Sequence, residues 1–364
     1  MFDVLRGHLA GRFDAMYIST DLEPDDAAAF KVLAPRLRGI PLLVVVGQGD
    51  THRKRGMMAE LLRQYGIDEM ATVIQGRTSE TAYSDAAIES YAPVPGSPHK
   101  ATLSDLEGED EISHAVQHFL LRHTSPFALV LKPPHELLGV SDEALGRTVA
   151  AAYGSFNFVV LRSSLRKDVP SLTEEEAHKR QERLLHSFKR CLWVERSVSV
   201  GTQATIDASE ACAAVWPRLE ADESLVKLVL TWNKLSIIRC AKSISEGGMQ
   251  ITSAFEQSGT SVFETIEKLA DQAEKRAGIM VSIARHKGLQ MPLADPLVVA
   301  VLVDDNGEME RFQRPCNAGH DAKGKPTFDP MPTSSLCALW TQDASEREEL
   351  YAITIKILGR AMSP

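Results

Sequence analysis

The residues best suited to chemistry stand near the amino terminus, in Tyr17-Ile18-Ser19-Thr20-Asp21-Leu22-Glu23-Pro24-Asp25-Asp26. Four acids fall within six positions, after the apolar Met16, Tyr17 and Ile18 and before the helix-forming Ala27-Ala28-Ala29-Phe30. The pattern predicts a buried strand, a turn, and a helix opening at Pro24, since proline is tolerated at a first helical position. Asp21, Asp25 and Asp26 would then crowd at the carboxyl end of a strand, the edge where open α/β sheets bind ligands. Carboxylates held that close repel one another unless one stays protonated or a cation sits among them. Hard oxygen donors favour Ca²⁺, with Mg²⁺ as the alternative, over zinc. One or two acids would suffice to cap a helix. Four point to a metal site.

The elements that must position this cluster follow in a regular order. The continuous apolar run 41–46 reads as a parallel strand buried on both faces, ending in Gly47-Gln48-Gly49-Asp50. Thr51 then caps a helix carrying Met57, Met58, Leu61 and Leu62 and stopping at Gly66, and a third strand spans 71–74. Strand–helix–strand–helix–strand predicts right-handed crossovers and a mostly parallel open sheet flanked by helices, an α/β fold with a Rossmann-like core. Gly47-Gln48-Gly49 lacks the third glycine of a dinucleotide fingerprint. Residues 77–109, rich in Ser, Pro, Glu and Asp, read as a long excursion over the active-site edge. An amphipathic helix is expected over 110–123, with His114 and His118 on its solvated face, and buried strands over 127–131 and 156–161. A charged helix over 174–190 reads as an insertion or an oligomer contact, placed at about 172–190. Strand 335–340 and helix 344–358 close a chain read as one domain, 1–364.

Composition narrows the function classes. A net charge of −9 leaves no basic excess to displace counterions from a nucleic-acid backbone, so no nucleic-acid partner is expected. The five cysteines are scattered and odd in number, without a Cys-x-x-Cys pair, and read as reduced thiols of a cytoplasmic protein. No apolar run approaches the roughly 20 residues that span a bilayer, so no membrane partner is expected either.

Asp21-Leu22-Glu23-Pro24-Asp25-Asp26-Ala27 resembles the amino-terminal aspartate cluster of the nucleoside hydrolases, the calcium-dependent, inosine- or uridine-preferring N-ribohydrolases. Their usual pattern is Asp-x-Asp-Pro-Gly-x-Asp-Asp-Ala, and the wording here is closer to the divergent, nucleoside-hydrolase-like branch. Ser19 takes the place of the family's first aspartate. Late in the chain, Pro292-Leu293-Ala294-Asp295-Pro296-Leu297 resembles the family's His-Asp-Pro-Leu, with Asp295 matching a metal ligand and Ala294 replacing the histidine that helps the base leave. Gln48 stands where the family has a ribose-facing asparagine, a turn residue being an equal reading. In Lys132-Pro133-Pro134-His135-Glu136-Leu137, His135 falls at a threonine that gives its backbone carbonyl to calcium. Gln203 is the nearest amide to the family's sugar-binding residues, and Trp232 stands where an aromatic ring could stack on a base.

The resemblance implies a Ca²⁺ held by Asp21, Asp26, Asp295 and the His135 turn, with Asp21 as general base and Asp25 on the ribose hydroxyls. A cation-activated water would then cleave the N-glycosidic bond of a riboside. With Ala294 in place, His135 or His320 would have to assist the leaving group, or the leaving group would depart without an acid. The family also leads one to expect a homodimer or homotetramer. Two rivals stand beside this reading. One is a catalytically impaired descendant that binds a ribosyl ligand. The other is a phosphate-ester hydrolase, for which Arg53-Lys54-Arg55 is the only basic clamp, and that stretch reads better as a solvated helix turn.

Overall fold

The computed structural model describes residues 13–22, 24–48, 51–78, 100–106, 108–153, 161, 165–166, 168–194, 294–320, 326–339 and 344–361. Its first strand, β1 (Ala15–Thr20), is buried at every position. So are β2 (Leu42–Val46) and β5 (Pro126–Val130), as expected of strands covered on both faces. Between them in sequence come β3 (Ala71–Gln75) and β4 (Thr102–Ser104). After β5 come β6 (Val149–Tyr153), β7 (Arg190–Val194), β8 (Gln313–His320), β9 (Pro326–Pro330) and β10 (Leu336–Leu339).

All ten form one sheet, in the order β4-β3-β2-β1-β5-β6-β7-β10-β8-β9. The pairings from β4 through β10 are parallel, and β8 and β9 close the far edge antiparallel. This is an α/β fold with a mostly parallel sheet. From β1 the chain winds outward through β2, β3 and β4, then returns to lay β5 against the other side of β1. The switch point of the winding therefore lies between β1 and β5, which is where a ligand crevice opens in such sheets.

Right-handed crossovers require the outward and returning helices to lie on opposite faces, and they do. Helices α1 (Pro24–Leu37) and α2 (Thr51–Gln64) pack on one face through Phe30, Leu33, Met58 and Leu62. Helix α3 (Glu109–Arg122) covers the other through Ile112, Val116 and Leu120. On that second face also lie a 3-10 turn (His135–Gly139), α4 (Asp142–Arg147) and α5 (Glu174–Ser187). α6 (Ala294–Leu302) and α7 (Ala344–Ala361) return to the first. Each fully buried valine of β2 contributes about 1.5–3 kcal/mol relative to exposure. The outer face of α3 carries His114 and His118 exposed, as expected.

Some elements differ from the sequence reading. A strand precedes the one expected at 156–161, because Val149-Ala150-Ala151-Ala152 is small and apolar enough to sit between β5 and β7. Residues 154–160 lie outside those described. The charged helix expected to run to residue 190 stops at Ser187 and turns directly into β7, whose Cys191, Leu192 and Trp193 are buried. Within the 77–109 excursion, 102–104 adds an edge strand, and 79–99 lie outside the described residues. Residues 313–320 and 326–330 form an antiparallel strand pair absent from the sequence reading. Cys191, Cys316 and Cys337 are buried free thiols, and burial pushes that of Cys337 up to about 12. No described helix is long and apolar enough to cross a membrane.

Candidate active site at the carboxyl edge of the sheet

The exit from β1 is built around one hydroxyl. Thr20 Oγ1 donates to Asp26 Oδ1 and accepts the Leu22 N–H at 3.0 Å. Leu22 takes a left-handed backbone (φ 52) with its side chain buried, a conformation that costs a non-glycine residue roughly 1–2 kcal/mol. The chain thereby turns within a few residues from strand to helix. Asp26 enters the first turn of α1 completely buried (0% exposed), while Asp21 remains half-buried at the strand end. A carboxylate in a first turn is favoured by the helix dipole.

Asp295 reaches the same edge from the other end of the sequence. α6 packs beside α1, and Arg36 near the end of α1 pairs with Asp305 just beyond α6. Val32, Pro35, Arg36, Val303 and Asp305 line one groove there. The two helices therefore run parallel. Asp26 precedes Arg36 by ten residues of α1, about 15 Å of helix, and Asp295 precedes Asp305 by ten residues, the last of them beyond the end of α6 at Leu302. Asp295 is 3% exposed. Two buried acids thus open two adjacent parallel helices at the carboxyl edge of β1.

A cation of the protein's own stands in this edge. Lys54, in the first turns of α2, is 1% exposed, and its ammonium donates to the carbonyl oxygen of Asp21. Its neighbour Arg55 is 7% exposed and donates to the Ser104 carbonyl and, at 2.7 Å, to Asp105 Oδ1. The expectation of a solvated turn at 53–55 is therefore corrected for Lys54 and Arg55. Both aim inward from the start of α2, toward acids and carbonyls at the strand ends.

Across the switch point, β5 ends in a second buried charge system. Lys132 Nζ lies 2.8 and 2.9 Å from the two carboxylate oxygens of Glu136, and Tyr17 OH (2.6 Å) and Ser19 Oγ (2.8 Å) also donate to Glu136 Oε1. Burial alone would raise the Glu136 pKa, but the Lys132 ammonium together with the Tyr17 hydroxyl and a backbone hydrogen bond outweighs it and holds the carboxyl below its usual range. Burial first, and then the Glu136 charge, push Tyr17 well above 10. Lys132 crosses the end of β1 to lie against Gly47 at the end of β2. A Cβ on Gly47 would stand 2.6 Å from Lys132 Cε, so a side chain there would push Lys132 aside.

Gln48 follows with φ 63, its N–H donating to the Arg77 carbonyl. That left-handed backbone fits the turn reading and also holds an amide at the crevice. His135 Nδ1 faces the Pro133 carbonyl at 3.2 Å, which makes Nδ1 the protonated nitrogen. Nε2 is buried without a hydrogen-bond partner among the described residues. Burial first, then Lys132, lower the imidazole pKa to about 4. His135 is therefore neutral at pH 7, with a bare lone pair on Nε2.

Asp21 and Asp26 follow β1, Gln48 follows β2, the His135 turn follows β5, and Asp295 opens α6 beside α1. Asp25 lies in the first turn of α1, its side chain outside those described, and Gln203 and Trp232 fall outside the described residues. Two half- to fully buried carboxylates at β1 and α1, and a third at α6, suit a hard divalent cation in their donor chemistry. No described group of three His, Cys, Asp or Glu side chains forms a ready cage. Sequence reasoning took Lys54 for a solvated residue and gave Lys132 and Glu136 no role. A signal for the first was legible: α2 opens Thr-His-Arg-Lys-Arg, cations at the positive end of a helix dipole and no acid in its first turn. A lysine and a glutamate four apart after a buried strand signalled the second pair. No protein-family model matches this chain, and a search of curated proteins finds no significant match.

Proposed function

We propose that the chain is a metal-dependent hydrolase that cleaves the N-glycosidic bond of a ribonucleoside or related riboside. The observation that carries this reading is the pair of buried carboxylates, Asp26 and Asp295, opening neighbouring parallel helices beside the β1–β5 switch point. Asp21, Asp26 and Asp295, with the backbone of the His135 turn, would hold Ca²⁺ or, less well matched in size, Mg²⁺. Bound there, the cation would acidify a water and orient the ribose hydroxyls.

The chain's own residues would do the rest. Asp21, the half-exposed member of the trio, would accept a proton from water. Water oxygen would bond to the anomeric carbon as the carbon–nitrogen bond breaks, with one water proton passing to Asp21 and the bond's electron pair leaving with the base, which takes its proton from solvent afterwards. Asp25 and the Gln48 amide would take ribose hydroxyls. His135 is neutral, with its one proton turned to Pro133, so it accepts a hydrogen bond through Nε2 and does not donate an acidic proton. With Ala294 also unable to donate, either His320, whose side chain lies outside those described, assists the leaving group or the substrates are ribosides whose leaving group departs without an acid.

A second reading is a catalytically impaired protein that binds a ribosyl ligand. The Lys54 ammonium on the Asp21 carbonyl favours it, because it brings a positive charge to the end of β1 without a metal. Reducing-sugar release over a panel of nucleosides and activated ribosides, with Ca²⁺ and with EDTA, separates the two. Release that needs Ca²⁺ and vanishes in Asp26→Asn supports the hydrolase. Ribose binding without release supports the second reading.

A further inference from the structure

Between the His135–Gly139 turn, α4 and α5 lies a cavity of about 260 Å³. Its floor is Leu137, Leu138, Val140, Leu145 and Leu184. All but Leu138 are only 1–3% exposed, and Leu138 packs against the same apolar core. An apolar cavity of about 150 Å³ already takes a benzene ring, whereas drug-sized ligands occupy about 300 Å³ or more. The space therefore suits one ring or a chain of a few carbons.

The rim is charged. Arg180 and Arg183, three apart on one face of α5, border the cavity with Asp142 from the first turn of α4 and Ser187 from the end of α5. Ser187 Oγ donates to Asp142 Oδ1 at 2.8 Å, and Arg183 Nη2 donates to the same oxygen at 3.0 Å. The Ser187 hydroxyl first, and then Arg183, hold the Asp142 carboxyl below its usual range, so it is ionised at neutral pH and neutralises Arg183. Arg180 has no such counterpart. Among the described residues it makes no hydrogen bond or ion pair, and the acid that attracts it through space, Glu176, is committed to the Thr173 capping box. One uncompensated positive charge thus stands over an apolar floor. An amphiphile with a single negative charge matches both halves. Its apolar part leaves water for the leucines, and its carboxylate meets a guanidinium fork that can donate two parallel N–H bonds. A phosphate dianion would exceed the charge on the rim, and a neutral molecule would leave Arg180 unpaired.

We propose that this cavity is a binding site for a small monocarboxylate, its apolar part on the leucine floor and its carboxylate on Arg180. Leu137 and Leu138 belong to the same five-residue turn as His135 and Glu136, and Glu136 ties that turn to β1 through Tyr17 and Ser19. The cavity and the β1–β5 crevice therefore share one turn, and a ligand against the leucines braces it from behind. Neither the binding nor the bracing depends on the riboside-cleaving reading above.

Hexanoate is the probe, titrated into the full chain by calorimetry beside hexan-1-ol, acetate and inorganic phosphate. Amide hydrogen exchange of residues 135–139 is followed with and without hexanoate. Hexanoate should bind one site with a Kd of about 1 mM or tighter, and at least about threefold more tightly than each of the other probes. Arg180→Gln changes an exposed side chain and leaves the core intact, and it should weaken hexanoate at least about threefold. Exchange at 135–139 should slow at saturation. No saturable hexanoate binding by about 20 mM would overturn the site. Hexan-1-ol or phosphate binding as tightly as hexanoate, or an unchanged affinity in Arg180→Gln, would overturn the carboxylate assignment. Hexanoate binding with no slowing of exchange would overturn the bracing of the turn.

Discussion

Replacing Lys132 with methionine isolates the buried ion pair that spans the switch point. The two side chains are 2% and 4% exposed, and the ammonium lies 2.8 and 2.9 Å from the carboxylate oxygens. At 2.8 Å and an effective dielectric of about 20, the gross attraction is roughly 6 kcal/mol. Methionine keeps the packed stem but strands the Glu136 charge, and breaking one side of a buried pair costs about 3–5 kcal/mol. The hydroxyls of Tyr17 and Ser19 still donate to Glu136, which places the expected loss near the lower bound, about 3 kcal/mol. The pH dependence carries a sign. In the wild type the Glu136 pKa is depressed, so its stabilisation is present above the ordinary carboxyl value and is lost as pH falls through the folded value. In Lys132→Met burial acts without the ammonium and the pKa rises above the ordinary value. The deficit of the variant should therefore be largest at pH 7 and shrink toward pH 4.5. Urea unfolding at both pH values reads it out. A loss below about 1 kcal/mol at pH 7, or one that does not shrink in acid, would refute the reasoning.

Three further outcomes are expected. Gly47→Ala, whose Cβ would meet Lys132 Cε at 2.6 Å and Cδ at 2.7 Å, should cost about 1–3 kcal/mol by urea unfolding, and less in a Lys132→Ala background. Gln48→Gly removes a left-handed non-glycine backbone, so stability should hold or rise by up to about 1 kcal/mol while calorimetry shows weaker riboside binding; intact binding would leave Gln48 as a turn residue only. Because the His135 pKa is lowered to about 4, the unfolded chain binds the extra proton first, and stability should fall as pH drops from about 6.5 toward 4. His135→Gln should flatten that part of the melting-temperature profile, and an unchanged slope would assign it to other groups.

The sheet was legible because its central strands are continuous apolar runs, Met16-Tyr17-Ile18, Leu42 to Val46 and Phe127 to Leu131, separated by amphipathic helices. β6 was less so, since three alanines carry little strand propensity and are fixed by pairing with β5 and β7. The antiparallel β8–β9 pair holds prolines at residues 315, 326 and 330, which read locally as loop and are tolerated near a sheet edge. Asp26 and Asp295 declared themselves by standing at helix starts after or within apolar runs. Lys54, Lys132 and Glu136 did not, because a charged side chain is presumed solvated until tertiary packing supplies its partner. The partners Asp21, Tyr17 and Ser19 lie 33 to 119 residues away in sequence.

The most direct test of the central claim is release of reducing sugar from a panel of ribonucleosides and activated ribosides by the purified full chain, in Ca²⁺ and in EDTA, beside Asp21→Ala. The account expects release in Ca²⁺, none in EDTA, and a loss of about 10²-fold or more in the variant, the scale of a missing general base. Release that continues unchanged in EDTA or in Asp21→Ala would contradict it, as would no release from any riboside under calcium saturation.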